Sequence, residues 1–165
     1  MKNLVICFML LTTLLLGDKM GNFENITDSF DVAQKMNITI ENMTAQLNKG
    51  DDKFEQIIVV LKNVTKHAHD MPAFGVSLDD LTINEMKEGI WLELVFNEPY
   101  VFNEMPFEAL LIKVEKDIYG FNLIRKNNGK YDGRCFYLSL NESMNDLYEK
   151  INSLNLNFQN KKTAR

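Results

Sequence analysis

An α+β fold is predicted for this chain, with a single antiparallel sheet of about four to five strands packed against two amphipathic helices. Three observations predict it. From Phe107 to Leu140 apolar and polar residues alternate in three short runs separated by turn signals, the mark of consecutive strands. Two other stretches, from about Lys53 to His67 and from Met144 to Leu154, carry apolar residues at helical spacing. The strands follow one another through turns, which favours antiparallel pairing.

The meander is the densest signal. Leu110, Ile112 and Val114 form its first run, Phe121 and Leu123 its second, and Phe136, Leu138 and Leu140 its third. Asn128-Gly129 separates the last two and suits a type I′ turn, in which both central residues need positive φ. A two-residue loop there sets Phe121 opposite Phe136 and Asn122 opposite Cys135. A rival turn, or a bulge, at Asp132-Gly133 shifts that register.

The chain begins MKNLVICFMLLTTLLLG. Lys2 followed by an uncharged apolar run that ends at Asp18 has the layout of a secretory signal peptide and is short for a membrane span. Residues 1–17 are therefore expected to be an export signal. Residues 18–50 read as a polar, partly helical spacer, although Met36, Ile38 and Ile40 also fit a short strand. Residues 51–157 form the expected domain, and 158–165 a basic tail that frays.

Within the domain, Asp52 and Glu55 make a capping-box pattern ahead of a helix whose stripe is Phe54, Ile57, Ile58, Leu61 and Val64. Met71-Pro72 stops it. Ala73–Leu78 reads as a strand, and Thr82 with Glu85 suggests a short helix ended by Gly89. Ile90–Phe96 is a strand with Ile90, Leu92, Leu94 and Phe96 on one face and Trp91, Glu93 and Val95 on the other. Asn97–Pro106, with two prolines, reads as a loop.

At 165 residues and net charge −5 the chain has length for a core and little to attract phosphate, so nucleic acid is not an expected partner. Cys7 and Cys135 are the two cysteines. Cleavage of the leader would leave Cys135 alone, and the fold would rest on its core rather than on a disulfide. Five Asn-x-Ser/Thr sequons stand at Asn25, Asn37, Asn42, Asn63 and Asn141, but the chain holds 19 asparagines, so chance matches are expected.

The candidate chemistry is sparse. His67-Ala68-His69-Asp70 brings the two histidines together at a helix end, without the third ligand that zinc needs. Cys135, with His67 or His69 as base, is the other low-ranking catalytic candidate for a hydrolase or transferase. Glu93, Glu98, Glu104, Glu108 and Glu115 read as a solvated acidic surface. Phosphate loops, nucleophile elbows and paired CxxC motifs are absent from the sequence, and neither a cofactor nor a metal is expected. Trp91 and Tyr137 fall on the strand face away from the expected core. With Tyr100 and Phe102 from the 97–106 loop, they are the candidate binding residues.

The leading expectation is a non-enzymatic, exported or envelope-associated domain that binds a protein or an envelope component. An acidic inhibitor or immunity-type protein that meets a basic toxin is a further reading, and it requires the negative charge to cluster.

Overall fold

The structure, a computed structural model, describes residues 23–71 and 75–160. The expected export signal at 1–17 with Cys7, residues Pro72 and Ala73 at the proposed helix stop and strand, and the basic cluster of the tail lie outside the described residues.

A 3-10 turn at Ile26–Val32 opens the fold. It is followed by β1 (Lys35–Ile40), β2 (Met43–Asn48), α1 (Asp52–Thr65), β3 (His69–Met71), β4 (Val76–Ser77) and α2 (Asp79–Glu85). Then come β5 (Ile90–Phe102), β6 (Met105–Val114), β7 (Gly120–Lys126), β8 (Gly133–Arg134), β9 (Phe136–Ser139), α3 (Asn145–Ser153) and β10 (Gln159–Asn160). The α+β class holds. The sheet, however, has eight strands in the order β10-β2-β1-β5-β6-β7-β9-β3, with a separate two-stranded β4-β8 ribbon, so four to five strands was too few. All of its pairings are antiparallel.

β1, β2, β3 and β10 are the sheet strands not counted from the sequence, and a further hairpin lengthens two that were. The stretch expected as a polar spacer contains the β1–β2 hairpin, and β1 runs beside β5 with Ile38 opposite Leu92. Its turn is Glu41-Asn42, with φ of 47° and 66°, a tight turn built without glycine. The expected 97–106 loop is a second hairpin. β5 continues through a register irregularity after Val95 to Phe102, turns at Asn103-Glu104 (φ 49° and 62°), and returns as β6. Pro106 is tolerated opposite Val101 near this hairpin end. Beyond α3 the chain adds β10 against Thr44 and Met43 instead of fraying.

The Asn128-Gly129 turn forms as read, with φ of 51° and 76° and a two-way backbone exchange between Asn127 and Lys130. The β7–β9 register is nevertheless two residues off the expected one: Phe121 faces Leu138, Leu123 faces Phe136, and Asn122 faces Tyr137. The extra length is taken up after the turn, where Gly133 sits at φ 98° and β8 leaves the sheet to pair with β4. A two-residue slip preserves the pleat, so Phe121, Leu123, Phe136 and Leu138 still share the core face.

That core face is covered by the 3-10 turn, α1 and α3. Phe30, Phe54, Ile57 and Leu61 meet Ile38, Leu92, Leu94, Leu110 and Ile112 in one buried cluster closed by Leu147 and Ile151. The stripe read for α1 is the buried one. The helix cap lies one residue earlier than expected. Asp51 is the N-cap, its carboxylate accepts from Asn48 N–H, and Glu55 accepts from Gly50 N–H.

Gly120 sits where β7 passes β9. A Cβ there would strike the Tyr137 hydroxyl and lie 2.9 Å from the Leu138 carbonyl oxygen. The carbonyl belongs to the ladder and cannot swing away. Gly120→Ala is therefore expected to destabilise the fold by about 1–3 kcal/mol, read as a lower midpoint in urea unfolding with an unchanged slope.

Candidate functional site

The face of the sheet away from α1 and α3 carries the polar and thiol chemistry. Trp91 and Glu93 reach it because they alternate with Leu92 and Leu94 on β5. Trp91 is 1% exposed. Its ring packs with Met86, Leu111 and Tyr131, Lys113 Nζ lies 5.9 Å from the ring centroid, and its Nε1 donates to the Glu88 carbonyl at 2.8 Å. The short segment after α2 folds over the indole, so Trp91 is an interior residue and not an open binding surface. The sequence correctly put Trp91 on this face but gave no sign of that cover.

Beside it, Glu93 is buried, contrary to the solvated acidic surface expected. Its Oε2 accepts from Asn37 Nδ2 at 2.7 Å, and its Oε1 from the Tyr131 hydroxyl at 2.5 Å and Lys126 Nζ at 3.3 Å. The donors come from β1, from β7 and from the loop after β7. Lys126 also sits over the Tyr131 ring. A buried carboxylate persists only when paired and hydrogen-bonded, and here both oxygens are satisfied. The Asn37 sequon is consumed by this network, since its amide nitrogen is the donor.

The Tyr131 loop carries the order onward. Tyr131 N–H donates to Asp79 Oδ1 at 2.8 Å, and Asp79 N–H donates to Asp132 Oδ1 at 2.8 Å. Ser77 Oγ donates to the Gly133 carbonyl at 3.2 Å, and Cys135 N–H to the Gly75 carbonyl at 2.9 Å. Residues 75–79 are thus stitched to residues 131–135, which fixes where α2 starts.

Between α2 and the sheet lies a groove of about 210 Å³, lined among others by Val76, Leu78, Leu81, Glu85, Asn122 and Cys135. The Cys135 thiol is 2% exposed. Burial pushes its pKa above the ordinary thiol value; hydrogen bonding with Ser77 and the Arg125 guanidinium only partly offset that. A nucleophilic cysteine needs the opposite shift. The apolar residues at its rim are open: Val76 is 67% exposed, Leu78 55% and Leu81 59%, and Ile83, further along α2, is 47% exposed.

The other candidate residues are dispersed. His69 pairs with Ser139 on the edge strand β3, and Cys135 precedes Ser139 by four residues, roughly 13 Å along the strand. His67 lies in the turn between α1 and β3. The structure therefore does not join the thiol to either histidine. Among the described residues no cluster of three or more His, Cys, Asp or Glu could hold a metal ion. Tyr100 and Phe102 pack on the opposite, core face, Tyr100 against Phe23, Phe96 and Phe107, and Phe102 against Phe136. Tyr137 is half-buried on the Asn122 side. The four expected binding residues are thus split between two faces, and the open apolar residues of α2 and β4 were missed. The available signal was Leu78, Leu81 and Ile83 in a helix too short to bury them all.

No helix of the described residues is long and apolar enough to cross a membrane. No protein-family model, curated protein or solved structure matches the chain.

Two outcomes follow from the buried groups. Burial, then the charge of Glu93 and its hydrogen bond, push the Tyr131 phenol far above its ordinary value of 10.0. Below that value the phenol is neutral in both folded and unfolded chains. Above it only the unfolded chain gives up the proton, so stability falls as pH rises. Tyr131→Phe is expected to cost about 1–3 kcal/mol at neutral pH and to flatten the decline in melting temperature above about pH 10. Separately, Cys135 in the native protein is expected to react with iodoacetamide at pH 8 at least about tenfold more slowly than in urea-unfolded protein, measured by intact mass over time.

Proposed function

We propose that this chain is a non-enzymatic protein-binding domain, exported or associated with the cell envelope, that docks its partner on the α2–β4 rim. The observation that carries the reading is the open apolar run on one short segment. Val76, Leu78 and Leu81 line a groove and Ile83 follows them on α2, all more than 45% exposed, whereas the other exposed large apolar residues among those described, Met43, Val59, Met71 and Tyr119, stand singly along the chain. Clustered apolar exposure beside a concavity is the usual mark of an interaction site. The groups that would serve catalysis are arranged otherwise: Glu93 is saturated by three donors, and Cys135 is buried with its thiol held protonated. Export rests on the leader-like pattern of residues 1–17.

The binding surface in this proposal is not the Trp91 and Tyr137 face itself but the segment that covers part of it. Leu78→Ser with Leu81→Ser changes side chains already in solvent, so the melting temperature should stay within about 3 °C of wild type. In affinity capture from the native host with identification by mass spectrometry, a partner retained by wild type and by the Val59→Ser control should be lost with the double variant. Val59 is a suitable control because it is 56% exposed on α1. Equal capture by all three proteins would contradict the proposed surface.

A further inference from the structure

We infer that the groove takes a peptide segment of a partner protein with one or two apolar anchor side chains flanked by lysine or arginine. This rests on the docking reading above and adds the chemistry of the occupant. Size argues first. At about 210 Å³ the groove is smaller than the roughly 300–1,000 Å³ usual for small-molecule sites. It matches the anchoring of single side chains, the mode in which peptides use grooves.

Charge argues second. From Val76 to Gly89 the segment carries Asp79, Asp80, Glu85 and Glu88 against Lys87. Asp79 is engaged by Tyr131 N–H, whereas Asp80 and Glu85 are exposed on α2, and Glu85 lines the groove. Lys87 lies beyond the helix end with its Nζ on Asn84 Oδ1 at 2.9 Å. Arg134 pairs with Val76 across the β4–β8 ribbon but does not line the groove. The groove therefore offers Val76, Leu78, Leu81 and Ile124 for apolar anchors among polar groups of Ser77, Thr82 and Asn122, and the Glu85 carboxylate at its helical side, with Asp80 exposed on the same helix, is complementary to basic flanks. The same charge disfavours the other occupants. A second copy docked segment to segment would bring two stretches of net negative charge together, and an anionic lipid surface would repel them.

A random-peptide display library panned on the full folded chain tests this, with counter-selection on the Leu78→Ser/Leu81→Ser variant. The selected peptides should hold one or two large apolar residues and about twofold more Lys and Arg than the unselected library. A synthetic peptide of the leading sequence should bind Asp80→Asn/Glu85→Gln about fivefold more weakly than wild type, and the difference should shrink in high salt. Selected peptides with apolar anchors but no excess of basic residues would overturn the charge inference and leave the docking reading standing. A failure to select any peptide that distinguishes wild type from the Leu78/Leu81 variant would overturn both. So would a Leu81-dependent dimer in sedimentation velocity, or Leu81-dependent binding to phosphatidylcholine–phosphatidylglycerol vesicles, each of which would assign the rim to another occupant.

Discussion

The carboxylate of Glu93 is the constraint on which the second face of this protein depends. It lies inside the sheet, and it ties together β1 through Asn37, β7 through Lys126 and the following loop through Tyr131. An isolated buried carboxylate would be costly by several kcal/mol, so the three donors have to arrive together. Their arrival fixes the Tyr131 loop. That loop then fixes the start of α2 through Asp79 and Asp132. The groove is thus a consequence of how one charge is satisfied, and its apolar rim stands on an element with little core of its own.

The two faces of the sheet work differently. The α1–α3 face is an apolar interior, filled by interlocking side chains from β1, β5, β6, β7 and β9. Its stability comes from area removed from water, and it tolerates no chemistry. The other face is shared between a small cluster of Met86, Trp91, Leu111 and Tyr131 and the polar network beside it. The seven residues of α2 bury only Thr82. An element held by a few specific hydrogen bonds instead of by broad burial can present apolar side chains outward, and this is how the fold reconciles a rigid core with an open apolar rim.

Much of the core was legible in the sequence, because period-two and helical spacing report directly on burial. Phe54, Ile57, Ile58, Leu61 and Val64, and Ile90, Leu92, Leu94 and Phe96, fall where their spacing puts them. The β1–β2 hairpin was not legible, since Glu41-Asn42 reaches positive φ without the glycine that usually announces such a turn. The 97–106 hairpin was hidden by its prolines. The β7–β9 register depended on how the chain spends Tyr131–Cys135, and β4 decides that from more than fifty residues away. The site was less legible still. Alternation placed Glu93 and Trp91 on the correct face, but no local pattern reveals that Met86 and Glu88, just beyond α2, will close over the indole, nor that Tyr131 will reach Glu93 across 38 positions. Tyr100 and Phe102 were read as loop residues, and the same hairpin that removed the loop packed them, half-buried, against the edge of the core.

The partner is proposed to sit on the α2–β4 rim. The most direct measurement replaces Leu81, in one protein, and Val59, in another, with a photo-crosslinking amino acid and irradiates each in the native host. A discrete crosslinked partner is expected from position 81 and none from position 59. Crosslinks from position 59 with none from position 81 would place the interface on the helical layer instead, and the α2–β4 assignment would be wrong.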